Sequence, residues 1–168
     1  RAFWGDKTPY NTFFLPEISA VFPGAKFIGM QRDGCDVVVS YVKAGIYGDY
    51  EAAAHRWIES NILLERFREK NAHCLMLLRY EDLIAETDVH LDKVLAFTGI
   101  PKTRDSDNAD APQATLHDAH TLPHLKKSLA PVDATNSGKG VRILREEASE
   151  KLRDLMNPWL KKLGYEEI

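Results

Sequence analysis

Two cysteines in 168 residues, Cys35 and Cys74, are too few for a disulfide framework. Cys35 sits in a polar turn and Cys74 opens an apolar run, so both read as free thiols of a reducing, cytoplasmic compartment. No apolar run approaches the ~18 residues of a membrane span, so no membrane segment is expected here. Positive charge is not in excess. The 22 Lys and Arg stand against 25 Asp and Glu, a net charge of −3, which excludes nucleic-acid binding through bulk charge. The phosphate-cradling pattern G-x-x-x-x-G-K-[ST] is missing, and there are no internal repeats. What is present is a core. The chain is 44% hydrophobic and 28% charged, too apolar for disorder and of a length for one domain.

The order of elements reads as α/β. Residues 1–4 look like the end of a strand, broken by Gly5, with more chain expected upstream of Arg1. Pro9 to Phe22 has helical spacing, and Pro9 suits a helix start. Lys26 to Met30 is a short apolar run of the kind that forms a buried parallel strand. Asp33 is placed to cap a helix through Val37 and Tyr41. Residues 50–71 repeat apolar side chains every three or four positions, from Ala53 through Trp57 and Leu64 to Phe67. Leu75 to Leu78 is a second buried strand, ending at Arg79-Tyr80. Residues 88–98 form a helix closed by Gly99 and Pro101. Residues 102–140 are polar and aperiodic, a long loop of a length that usually serves function. Glu146 to Leu163 is helical again, and Gly164 stops it. These pieces predict a parallel sheet whose central strand lies upstream.

Four short motifs stand at strand ends or helix starts. Gly29-Met30-Gln31-Arg32-Asp33 joins a strand to a helix bearing Ser40. In open parallel sheets ligands bind beyond the carboxyl ends of strands, and the planar fork of an Arg suits phosphate. Arg32 beside Asp33 and Asp36 equally suits a surface ion pair. Gly5-Asp6-Lys7-Thr8-Pro9 opens a helix, where free amides favour anions and Lys7 is able to neutralise a leaving group. A solvated lysine beside a capping threonine fits the same residues. Tyr80-Glu81-Asp82-Leu83 follows the second strand, where Tyr80 stacks on a base or closes the core. Ser137-Gly138-Lys139-Gly140 lets backbone approach a phosphate or simply turns.

Taken in order, these motifs resemble the C-terminal part of the sulfotransferases that use 3′-phosphoadenosine-5′-phosphosulfate (PAPS). The resemblance rests on Gly5–Pro9, on F-P-x-A-K-F-I-x-x-x-R-D-x-x-x-x-x-x-S at Phe22–Ser40, on Y-E-D-L at Tyr80–Leu83 and on L-x-K-L-G-Y at Leu160–Tyr165. The strand–Arg–helix–Ser block is the specific one. The tyrosylprotein branch is especially similar around Phe22–Gly34 and Pro131–Lys139. The resemblance implies a three-layer α/β/α fold with a parallel sheet, related to the P-loop NTPases. It implies a single domain over residues 1–168, without the N-terminal βα unit that carries the 5′-phosphosulfate loop. Residues 102–140 would close over the nucleotide and acceptor.

The same resemblance implies site residues. Lys7 matches the lysine that stabilises the sulfonate in flight. Arg32 and Ser40 match the pair on the 3′-phosphate. Tyr80 matches an aromatic residue beside the adenine, and Lys139 a basic residue at the end of the closing loop. PAPS would be the co-substrate and PAP, the 3′,5′-bisphosphate nucleotide, the product, with no metal required. The acceptor would be a hydroxyl or amine of a small molecule, glycan or peptide. The pattern also departs from the family. No histidine follows Lys7, where Thr8-Pro9-Tyr10 stands, and a transition-state serine of the tyrosylprotein branch aligns with His124. His117, His120 and His124 share i, i+3, i+7 spacing, but Pro123 interrupts them, so loop histidines are expected rather than a metal site. Two alternatives stay open: a P-loop-type kinase, which would need a Walker lysine-serine, and a non-catalytic nucleotide-binding remnant.

Overall fold

The computed structural model describes residues 3–102 and 137–168. Pro9–Phe14 form a 3-10 helix that runs directly into α1 (Leu15–Val21). The Phe22-Pro23-Gly24 turn then delivers the chain to β1 (Phe27–Gln31). A parallel neighbour requires a crossover, supplied here by α2 (Gly34–Lys43) and α3 (Tyr50–Asn71). β2 (Leu75–Arg79) pairs in parallel with β1, from Phe27 opposite Leu75 to Gln31 opposite Arg79. Among the described residues four more helices follow: α4 (Tyr80–Ala85), α5 (Thr87–Thr98), α6 (Lys139–Glu147) and α7 (Glu150–Lys162). This is the α/β architecture with a parallel sheet that the sequence predicts.

Local chemistry explains the boundaries. Asp33, Asp49 and Ser149 each accept a backbone N–H in the first turn of α2, α3 and α7, at 2.7, 2.8 and 3.1 Å. Gly99 closes α5 in the left-handed region, at φ 74°. The two halves of the core follow one another along α3. One gathers Val38, Trp57, Val141, Leu144, Leu152, Met156 and Leu160 between α2, α3, α6 and α7. The other joins Leu15, Leu64, Phe67, Cys74 and Leu75 beneath the sheet. Two helices meet α2 very closely. A Cβ on Gly140 would lie 2.2 Å from the Cys35 carbonyl carbon, and one on Gly34 would lie 2.7 Å from the Trp57 ring. Both positions are glycine because a methyl group has no room there.

Three expectations change. Phe3 and Trp4 belong to no strand, and Trp4 is 74% exposed. A strand needs a paired neighbour, and no described residue pairs with them. The second strand stops at Arg79, because Tyr80 begins α4. The expected helix over 146–163 is two helices, and the first starts at Lys139, inside the segment read as loop. Val141 and Leu144 carry that earlier helix, burying one face against α2. The rest of the expected loop, residues 103–136, lies outside the described residues, as do His117, His120 and His124.

Candidate functional site

β1 and β2 point their carboxyl ends the same way, and Arg32 and Tyr80 immediately follow them. The Arg32 guanidinium lies over the Tyr80 ring, 4.5 Å from its centroid. Its Nη2 approaches the Asp36 carboxylate at 3.5 Å. So the ion pair and the strand-end placement, which the sequence left as alternatives, coexist.

Asp36 does more than pair with Arg32. It is buried, and its carboxylate accepts the backbone N–H of Gly138 at 2.9 Å and of Gly140 at 2.7 Å. An acidic group at a helix start meets unpaired amides and the positive end of the helix dipole. The first turn of α6, with Lys139, is therefore tied through one carboxylate to Arg32. Gly138 reaches this geometry at φ 78°, where a side chain would be strained.

Along β1 lies a cleft of about 390 Å³. Lys7 and Arg32 both line it, together with Arg56, Trp57 and Tyr41. The turn carrying Lys7 is braced by Asp6, which accepts from the Thr8 hydroxyl at 3.2 Å and the Asn11 amide at 2.5 Å. Arg56 lies flat on Phe13, 4.0 Å from the ring centroid. The cleft is therefore lined by four cationic side chains, Lys7, Lys26, Arg32 and Arg56, from four parts of the chain.

The structure thus gathers Lys7 and Arg32 in one cleft, sets Tyr80 against Arg32, and reaches Lys139 through Asp36. Ser40 stands apart. It is exposed on α2, one turn beyond Asp36 along the same row, and does not line the cleft. Four residues beyond the candidate site residues shape the site, Asp36 among them as the ion-pair partner that the sequence offered for Arg32. Trp57 donates its indole N–H to the Arg32 carbonyl at 3.1 Å. Glu81 accepts the Asp33 N–H at 2.9 Å. Asp36 and Arg56 complete the set. Trp57 was legible only as core, and Glu81 only as a member of Y-E-D-L.

Burial tunes the titratable groups. It pushes the Asp33 carboxyl above its ordinary value, against the opposing Cys35 amide, and the Asp36 charge adds to the rise. It raises the Cys35 thiol strongly, with Asp33 next, so Cys35 stays a protonated core side chain. It raises the Tyr41 phenol in the cleft, while Arg56 opposes the rise. Tyr165 is raised by burial and then by the Glu81 charge. Among the described residues, no three His, Cys, Asp or Glu side chains gather as a metal site. No helix among them is long and apolar enough to cross a membrane.

Comparison with known proteins bears on the fold and the family. A solved structure of a sulfotransferase domain from the curacin biosynthetic pathway superposes with a TM-score of 0.67 at 20% identity. The match covers 97% of this chain and 62% of that one, so the chain spans under two thirds of that domain's length and shares its fold. A search of curated proteins returns no match. The model of the sulfotransferase family matches residues 1–105, which hold Lys7, Arg32, Ser40 and Tyr80. By that match, which spans more than half of its length, the chain belongs to the sulfotransferase family.

Proposed function

We propose that the protein transfers a sulfonate group from PAPS to a hydroxyl or amine of an acceptor. The observation that carries this reading is the shared cleft, with Lys7 on one wall and Arg32 on the other. Arg32 takes the 3′-phosphate of the nucleotide, with Ser40 further along α2 as its partner. Its guanidinium is planar, always charged and already stacked on an aromatic ring, which suits bidentate phosphate binding. Tyr80 lies beside the adenine. Lys139 approaches from the first turn of α6. The cleft volume falls within the roughly 300–1,000 Å³ of ordinary ligand sites.

In the reaction the bond from sulfur to the 5′-phosphate oxygen breaks, and a bond from sulfur to the acceptor oxygen or nitrogen forms. The acceptor loses a proton and PAP leaves. Negative charge grows on the bridging oxygen and on the sulfonate oxygens. Lys7 is placed to meet that charge, so positioning and electrostatic stabilisation supply the catalysis. No metal enters this scheme. Within the family the Phe22–Gly34 stretch resembles the tyrosylprotein branch, so a peptide hydroxyl is tested beside a glycan and a small phenol.

Calorimetry with PAP tests the donor assignment. A charge-assisted contact contributes roughly 1.5–3 kcal/mol, so Arg32→Ala weakens PAP by about 10–150-fold. Unchanged affinity in a folded variant overturns the assignment. A thermal-shift comparison of PAP with ATP separates the reading from a nucleotide kinase, which ATP would stabilise more.

A further inference from the structure

Both polar atoms of a single peptide group are held by side chains from separate helices. The Arg32 carbonyl accepts from the Trp57 indole of α3 at 3.1 Å. The next atom pair, the Asp33 N–H, donates to Glu81 Oε1 of α4 at 2.9 Å. A peptide group is planar, so fixing both its ends fixes its plane. That plane adjoins the Cα of Arg32 and therefore sets the direction in which its side chain leaves the backbone.

Each holding residue is itself held. The Trp57 ring is buried against Gly34, where even a methyl group has no space. The other carboxylate oxygen of Glu81 accepts the Tyr165 hydroxyl at 3.1 Å. Arg79 stacks on the Tyr165 ring at 4.2 Å from its centroid and donates to the Leu163 carbonyl at 3.0 Å. The C-terminal Leu163-Gly164-Tyr165 turn is thereby joined, through Glu81 84 residues before Tyr165, to the turn at the end of β1.

We infer that Trp57 and Glu81 are positioning residues that aim Arg32 at the donor's 3′-phosphate, with Tyr165 orienting Glu81. The inference rests on the reading of Arg32 as the phosphate ligand. Glu81 touches no ligand in this account. It acts through the peptide it holds. A merely structural Glu81 would bind the α2 start to α4 and affect every ligand alike. A positioning Glu81 affects only ligands that Arg32 contacts.

The test compares PAP with adenosine 5′-phosphate, which lacks the 3′-phosphate, by calorimetry on the full-length protein. Glu81→Ala weakens PAP by about tenfold and adenosine 5′-phosphate by less than about twofold. Glu81→Gln keeps an acceptor for the Asp33 N–H and a partner for Tyr165, so it restores PAP to within about threefold of the parent. Tyr165→Phe removes only the hydroxyl and weakens PAP by about two- to threefold, which carries the test if Glu81→Ala does not fold. Equal losses for both nucleotides, or a Glu81→Gln variant as weak as Glu81→Ala, overturn the positioning role. The Arg32→Ala control separates the two levels of the argument. If Arg32→Ala leaves the preference for PAP intact, the phosphate assignment fails. If Arg32→Ala abolishes it and Glu81→Ala and Tyr165→Phe both keep it, the positioning inference alone fails.

Discussion

The two walls of the cleft are built differently. The Arg32 wall is part of the core. Trp57, Asp36 and Glu81 hold its backbone or its guanidinium, and Gly34 and Gly140 let two helices close on α2. The Lys7 wall is a surface turn. Phe3 to Thr8 has no regular structure, and local hydrogen bonds to Asp6 brace it. Around it Phe3, Trp4, Tyr10 and Phe14 are exposed. Ile28 and Met30 of β1, which also line this cleft, are 42% and 47% exposed. A wall that recognises a fixed phosphate gains from preorganisation, because ordering it at the moment of binding would cost affinity. The comparison teaches that the proposed donor contact at Arg32 is fixed by the same packing that fixes the fold, whereas Lys7, the proposed catalytic lysine, is nearly independent of it.

A pair of glycine substitutions breaks this comparison most severely. Gly140→Ala forces a methyl group to within 2.2 Å of the α2 backbone at Cys35, which has no flexible end to yield. It should cost about 3 kcal/mol or more in urea unfolding. Gly5→Ala meets nothing within 4 Å and has no positive φ. It should leave stability within about 1 kcal/mol of the parent or raise it slightly. Similar losses for both variants would remove the contrast between the walls.

Next in size is Lys7→Ala. A charge aimed at the transition state contributes a factor of roughly 10² or more to turnover. Its removal should lower kcat by about that factor, with the melting temperature of the unliganded protein unchanged. A normal kcat with a raised KM for PAPS would make Lys7 a docking residue. Lys139→Ala sharpens the other side. Its side chain is exposed at the start of α6 while its helix is anchored by backbone amides. The variant should therefore weaken PAP by about 3–10-fold and leave unfolding nearly unaltered. A large loss of stability would show that the side chain, not the Asp36 link, holds the helix.

The smallest effect concerns pH. The folded-state pKa of Asp33 is raised, so the folded protein binds its proton more tightly than the unfolded chain does. Stability from this group is thus greatest below the ordinary carboxylate range and declines as pH rises through the folded value. Asp33→Asn keeps a good cap while removing the charge, so it should slightly stabilise the protein at pH 7, by less than about 1 kcal/mol. The gain should shrink as pH falls toward 4. A variant destabilised at pH 7 and recovering in acid would reverse the sign.

Much of this was legible in the residues because the signals were local. The apolar runs after Ala25 and Cys74 gave both strands, and the Asp33 cap gave the start of α2 within one residue. The i+3/i+4 spacing over 50–71 gave α3 at its full length. Helix α6 was hidden because Gly138 and Gly140 read as flexibility. Their actual purpose is a left-handed turn and a close approach to Cys35, both of which depend on where α2 lies. The candidate site divides in the same way. Lys7, Arg32 and Tyr80 stand at element ends that periodicity marks. Trp57, Asp36 and Glu81 act across 25, 102 and 48 residues of sequence, and no local pattern encodes those distances.

The division of labour between the walls is tested most directly by measuring Kd for PAP and kcat for sulfonate transfer from PAPS in the same two variants. The account predicts that Arg32→Ala acts chiefly on Kd, raising it about 10–150-fold, and that Lys7→Ala acts chiefly on kcat, lowering it about 10²-fold with Kd nearly unchanged. Two variants that shift the same quantity by similar factors, or a Lys7→Ala enzyme with undiminished turnover, would contradict it.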